Sequence, residues 1–169
     1  MPWLTIAEAS STHISAILEI YAQYVLTELC TFEEVVPTLH EMHRRHDALR
    51  REGLPWLVAL EGEMVLGYAC ASRYRSRSAY WGTVENSIYV RGGHHGKGIG
   101  SSMLQALIAE CLKARFRQMV AVIGDSGNSG SIGLHEKAGF SHVGVLRNVG
   151  KKFGRPVDTV LMQRALYLP

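Results

Sequence analysis

Hydrophobic side chains return at intervals of three and four residues through Ile14, Ile17, Leu18, Tyr21 and Val25. That spacing lines one face of an α-helix, and Ser11 is placed to cap it. A short strand over residues 3–8 precedes the helix. The stretch from Thr38 to Glu52, TLHEMHRRHDALRRE, offers only Leu39, Met42 and Leu49 as an apolar edge, so it predicts a more polar helix, ended by Pro55. The period then changes to two. WLVALEGEMVLGYACASRYRS, from Trp56, predicts a hairpin turning at LEGEM, and GTVENSIYV predicts a third strand. Alternation in that strand puts Thr83, Glu85, Ser87 and Tyr89 on one face and Val84, Asn86, Ile88 and Val90 on the other. Met103, Leu104, Leu107, Ile108, Cys111 and Leu112 restore the helical period over about four turns. QMVAVIG, from Gln118, reads as a buried strand. Asn128 is placed to cap the next helix and Gly139 to end it. Two last strands, near Ser141–Val149 and Val157–Leu166, flank GKKFGRP, which reads as a loop too polar for the core. The order β, α, α, β, β, β, α, β, α, β, β describes one mixed sheet with helices on its faces.

Composition narrows this picture. With 169 residues, 47% of them hydrophobic and 20% charged, the chain suits a single domain over residues 1–169. Apolar runs such as MVAVIG fall far short of the roughly 18 residues of a membrane span. No basic segment followed by an apolar one opens the chain. A cytoplasmic protein with no membrane partner is expected. The three cysteines, Cys30, Cys70 and Cys111, are isolated and odd in number, which predicts reduced, buried thiols. A net charge of +3 with dispersed basic residues argues against nucleic acid and suits a small anionic ligand. His40, His43 and His46 recur every third residue and drift around a helix, so they predict a solvent-facing surface and no metal site.

The anionic ligand has an obvious place in VRGGHHGKGIGSS, between the third strand and the following helix. A nucleotide-binding P-loop would need glycine where Arg91 stands and Ser or Thr after Gly96-Lys97, where Gly98 stands. The dinucleotide fingerprint would need a third glycine where Ser101 stands. What remains is His95-Gly96-Lys97-Gly98-Ile99-Gly100, glycine at alternate places. Unblocked backbone N–H groups there converge on a pyrophosphate at a helix N-terminus, although the same pattern also serves a ligand-free turn.

This spacing resembles the Gln/Arg-x-x-Gly-x-Gly/Ala motif of the GNAT superfamily of acyl-coenzyme A N-acyltransferases. NSGSIGLHEKAGF resembles the second part of that pattern at Asn128, Ser131, Leu134 to Lys137, Gly139 and Phe140. TVENSIYV, VAVIG, LHEKAGF and VGKKFGRPVD look like the branch that N-acetylates phosphinothricin and methionine sulfoximine, over nearly the whole chain. The resemblance implies an α+β (mixed α/β) GNAT-like fold, a central mixed, mostly antiparallel sheet with helices on both faces. It also implies acetyl-coenzyme A as cosubstrate, a small amino acid as acceptor, a herbicide-resistance role and a homodimer.

Acetyl transfer from a thioester to an amine needs a base, an oxyanion site and help for the leaving thiolate. The resemblance assigns Glu85 as the base, and a carboxylate in mid-strand is itself unusual. It places the acetyl carbonyl against the backbone of Ile88, Tyr89 and Val90, where a bulge is expected. The coenzyme would lie on His95, Gly96, Lys97, Gly98, Ile99, Gly100, Ser101, Asn128 and Ser131. His135 stands where many relatives carry a tyrosine that protonates the thiolate, and either acid work or positioning is open to it. His95 replaces the Gln or Arg that begins the motif. Arg73, Arg75 and Arg77 alternate, and the resemblance selects Arg75 as the clamp for the acceptor's carboxylate. Tyr74 and Tyr80 would wall the acceptor pocket, Phe32 would cover it, and Lys152 and Phe153 would reach a neighbouring subunit's pocket. Trp81 stands where that branch can carry a basic residue. Two further readings keep the coenzyme: another acceptor, such as a polyamine, aminoglycoside or protein N-terminus, or a non-catalytic coenzyme A sensor.

Overall fold

The computed structural model describes residues 3–166. Strands β1 (Thr5–Glu8), β2 (Trp56–Glu61), β3 (Met64–Arg73), β4 (Thr83–Val90), β5 (Gln118–Gly124), β6 (Ser141–Lys152) and β7 (Arg155–Ala165) form one sheet in the order β1-β2-β3-β4-β5-β7-β6. Only β4 and β5 run parallel, because α3 (Ile99–Lys113) carries the chain between them. Every other neighbour is antiparallel.

Helices α1 (Ile14–Thr27) and α2 (Leu39–Arg51) cover one face, while α3 and α4 (Ser129–Lys137) lie on the other. The stripe predicted from Met103 to Cys111 is buried against Leu66, Ala69, Val84, Met119 and Met162. Ile14, Ile17, Tyr21 and Val25 pack with Met42, Trp56, Val58 and Tyr68 beneath the opposite face. Truncating a fully buried leucine such as Leu104 to alanine would cost about 2–5 kcal/mol.

Several expectations change. The first strand starts at Thr5, and α1 is entered through a 3-10 turn at Ser11–His13 capped by Ser10, one residue before the expected cap. Cys30 and Cys70 are half-buried, and only Cys111 is fully buried. His46 turns inward from α2, its Nε2 lying 3.0 Å from the Ala9 carbonyl oxygen, so the helix is not solvent-facing at that turn. GKKFGRP is not a loop. Its lysines extend β6, its Arg-Pro begins β7, and the turn is only Phe153-Gly154, both at positive φ (51° and 76°), as a tight hairpin requires. Lys152 consequently points into the protein with 1% of its surface exposed. The arginine alternation also stops at Arg73, where β3 ends, so Arg73, Arg75 and Arg77 do not share a strand face.

Candidate active site

The sheet opens between its two parallel strands. β4 and β5 pair from Thr83↔Gln118 to Asn86↔Ala121 and then separate, although β4 continues to Val90 and β5 to Gly124. A cleft of about 600 Å³ occupies the gap, lined by Asn86 to Val90, Ala121 to Gly124, the glycine turn and the first two turns of α4. The expected bulge is absent, since β4 keeps an unbroken register with β3 from Gly67↔Val90 to Arg73↔Val84. Divergence alone frees the backbone. Arg91 N–H donates to Leu66 C=O, so alternation gives Tyr89 to the β3 ladder and turns Ile88 and Val90 toward the gap. Val90 is already satisfied there: Tyr24 OH donates to its carbonyl at 2.7 Å and accepts from its N–H at 3.3 Å. Of the three residues expected to offer an oxyanion donor, Ile88 keeps a backbone N–H facing the cleft with β5 out of reach.

The glycine turn stands at the other end of the cleft. Gly98 precedes α3 in the left-handed region (φ 79°) and Gly96 does likewise (φ 74°), conformations that disfavour any side chain. No side chain caps α3, so the N–H groups of Ile99, Gly100 and Ser101 have no intrahelical partner, while Ser102 makes the first helical bond to Gly98 C=O. Three convergent donors at a helix N-terminus fit a pyrophosphate. α4 begins beside them, with Asn128 Oδ1 accepting from Ser131 N–H at 3.1 Å and both residues lining the cleft. Lys97 is exposed and outside the lining. His95 does line it, and its Nε2 meets Tyr24 OH at 2.8 Å, tying the turn to α1.

Glu85 and Asn86 leave β4 on opposite faces. Glu85 is half-buried on the α1/α2 side, opposite Ser72 and Val120. Burial pushes its carboxyl up from the ordinary range, and the Arg75 guanidinium pulls it partly back. The three arginines are now distinct. Arg73 is committed to Glu52 at 3.1 Å and to Trp81 C=O at 2.8 Å. Arg77 precedes the 3-10 turn Ser78–Tyr80. Arg75 lies 4.9 Å over the ring of Tyr74, whose ring meets that of Tyr80 edge-on at 5.9 Å. Arg75, Tyr74, Tyr80 and Glu85 therefore share one neighbourhood, outside the cleft lining and open to solvent through Tyr80 and Trp81.

Asn86, on the other face, is a site residue the sequence reading did not select. Its signal was present: a carboxamide among the inward positions Val84, Ile88 and Val90. Asn86 Nδ2 lies 2.9 Å from His135 Nε2, and His135 Nδ1 lies 2.8 Å from Ser131 C=O. The carbonyl can only accept, so Nδ1 carries the proton and Nε2 accepts from the amide. Burial lowers the pKa of this imidazole, and the bond to Ser131 raises it in part. A neutral ring whose single N–H is already donated has no proton to deliver.

Phe32 lies outside the cleft lining, on the coil between α1 and α2, with its ring against Gly150 of β6. Phe153 is exposed at the hairpin tip. Lys152, expected to reach a neighbouring subunit, turns back into its own chain, its Nζ donating to Thr31 C=O at 2.8 Å. Burial pushes the Cys30 thiol up to about 11 and the Cys70 thiol to about 12, so neither is a nucleophile at neutral pH. Among the described residues no group of three or more His, Cys, Asp and Glu side chains is gathered as metal ligands would be.

The model of the acetyltransferase (GNAT) family matches residues 19–140. The chain is 47% identical to phosphinothricin N-acetyltransferase of Alcaligenes faecalis, across 96% of this chain and 82% of the relative. It is 41% identical to the L-methionine sulfoximine/L-methionine sulfone acetyltransferase of Pseudomonas paraeruginosa, across 94% and 92%. The crystal structure of a GNAT superfamily phosphinothricin acetyltransferase from Sinorhizobium meliloti in complex with AcCoA superposes with a TM-score of 0.93 at 41% identity, covering 96% of this chain and 88% of that one.

Proposed function

Because the chain belongs to the acetyltransferase (GNAT) family and so is an acetyl-coenzyme A-dependent N-acyltransferase, we propose that it acetylates the α-amine of a small amino acid of the phosphinothricin or methionine sulfoximine kind. The observation that carries this reading is that Glu85 and Arg75 lie in one neighbourhood, close enough for the guanidinium to lower the carboxyl's pKa without forming an ion pair with it. A half-buried carboxylate of raised pKa is suited to take a proton from an ammonium, and the guanidinium beside it has no ion-pair partner among the described residues. An α-amino acid presents an ammonium to the first and a carboxylate to the second.

The N–H groups of Ile99, Gly100 and Ser101 would hold the coenzyme's pyrophosphate, and Asn128 and Ser131 line the same cleft. When bound, the coenzyme supplies an acetyl thioester. Ile88 N–H, fixed in β4 and facing the cleft, stabilises negative charge developing on the acetyl oxygen. Glu85 takes the proton that the ammonium must lose, from the other face of the same strand, and the amine's second proton would pass to the departing thiolate as the amide C–N bond forms and the thioester C–S bond breaks. His135 positions Asn86 and α4 and donates no proton. Tyr74 and Tyr80 wall the acceptor.

A cationic acceptor, such as a polyamine or aminoglycoside, would set its charge against Arg75, and a protein N-terminus would bring no carboxylate for it. A homodimer belongs to the same proposal, supported by Val143, Leu146 and Val149 exposed on the edge strand β6, and sedimentation of the purified protein tests it. A cytoplasmic location is supported by three free thiols, and no helix among the described residues is long and apolar enough to cross a membrane.

The test is a screen of purified protein with acetyl-coenzyme A against phosphinothricin, methionine sulfoximine, spermidine, an aminoglycoside and an N-terminal peptide, reading free thiol. Thiol release with the two amino acids supports the reading. Release confined to the polyamine, aminoglycoside or peptide overturns it.

A further inference from the structure

The coil between α1 and α2 is held from outside its own length. Thr31 Oγ1 meets Tyr21 OH of α1 at 2.9 Å, and Glu33 meets Arg45 of α2 at 2.7 Å. From the far end of the chain, Lys152 Nζ donates to Thr31 C=O at 2.8 Å and reaches Tyr24 C=O at 3.4 Å. Tyr24 belongs to the last turn of α1 and its carbonyl already accepts from Glu28 N–H at 3.0 Å, so the bond to Thr31 is the one by which Lys152 holds the coil. Burying an ammonium is unfavourable unless its donors are satisfied, and an apolar chain would fill the same volume without that cost. A lysine at this place therefore serves as the donor that fixes Thr31 C=O.

Two glycines complete the fastening. A Cβ at Gly124, the last residue of β5, would lie 2.7 Å from Leu29 C=O, and one at Gly150 of β6 would lie 2.5 Å from the Phe32 ring. Residues 29–32 are thus pressed onto the ends of β5 and β6, with Phe32 seated where position 150 has no side chain. Its ring keeps 42% exposure, enough to meet a ligand on the free side. Tyr21, which holds Thr31, also meets the ring of Tyr89 edge-on at 5.1 Å, and Tyr89 shares the Glu85 face of β4.

Resting on the amino-acid acyltransferase reading, we propose that Lys152 and Gly150 are positioning residues for acceptor specificity. They hold Phe32 at one height over the Glu85 face of β4, and that height sets the size of the acceptor side chain. The terminal hairpin thereby shapes the acceptor pocket of its own subunit.

The test is a double-mutant cycle of Gly150→Ala with Phe32→Ala, read as KM for methionine sulfoximine, KM for acetyl-coenzyme A, and Kd for coenzyme A by calorimetry. Displacing the ring raises the acceptor KM about tenfold and leaves both coenzyme constants within about twofold. The double variant is no worse than Phe32→Ala alone, because the alanine at 150 acts only through the ring. Multiplying effects, or coenzyme constants that shift as much as the acceptor KM, overturn the proposal. Should Gly150→Ala not fold, Lys152→Met replaces it in the same cycle, with Lys152→Arg expected to restore part of the acceptor KM. Should the wild-type protein acetylate neither amino acid, the reading of function has failed, and the same cycle on whichever amine is accepted decides the positioning role.

Discussion

Tyr24 and His95, on α1 and on the glycine turn, are joined hydroxyl to ring nitrogen across 2.8 Å, and the same hydroxyl holds both backbone groups of Val90. One phenol thus sets the spacing between the phosphate turn and the opening of β4. Tyr24→Phe removes these bonds without changing shape. It is expected to weaken coenzyme A binding several-fold, from about 0.5–1.5 kcal/mol per lost hydrogen bond. Calorimetry should show that loss, and an unchanged Kd would remove Tyr24 from the account.

The lock on His135 predicts a ring that stays neutral, with its proton on Nδ1, as pH falls through the range where a free histidine titrates. Its pKa is lower in the folded than in the unfolded protein, so the unfolded chain binds more protons in the window between them. Stability from this group is present above the unfolded value and is lost as pH falls through the window toward the folded one. Nitrogen-15 spectra of the imidazole check the tautomer directly. A ring that titrates at or above the ordinary histidine value would return proton donation to His135.

Arg75 pulls the Glu85 pKa down while burial pushes it up. Arg75→Met is therefore expected to move the acidic limb of kcat/KM to higher pH. It should also weaken methionine sulfoximine more than its carboxamide analogue, since the clamp serves the carboxylate. A pH–rate profile for each substrate decides it, and a limb that stays in place would detach Arg75 from the base.

Gly98 starts α3 at φ 79°. Gly98→Ala forces a side chain into the left-handed region at about 1–2 kcal/mol. The melting temperature should fall, and stabilisation by added coenzyme A should shrink with it, because the same residue shapes the N–H cradle. A thermal-shift titration reads both effects.

Local patterns carried much of this structure. The stripe from Met103 to Cys111, the Asn128 cap and the alternate glycines each depend on neighbours within a few residues, and each is found where the sequence placed it. Glu85 was conspicuous as a carboxylate in mid-strand. Lys152 was misread because lysine in a polar run signals surface, while its partner Thr31 lies 121 residues away. Tyr24 escaped notice for the same reason, since its partners lie 66 and 71 residues on. The divergence of β4 from β5 leaves no mark in either strand, and it decides that among the β4 residues lining the gap Ile88 keeps an unpaired N–H toward the cleft.

The claim on which the mechanism turns is that Glu85 takes the proton from the acceptor amine. Glu85→Gln keeps the side chain's shape and removes its basicity, so coenzyme A binding measured by calorimetry should be unchanged while acetylation of the amino acid falls by about 10²–10⁴-fold. Turnover equal to wild type with the coenzyme bound normally would contradict that claim.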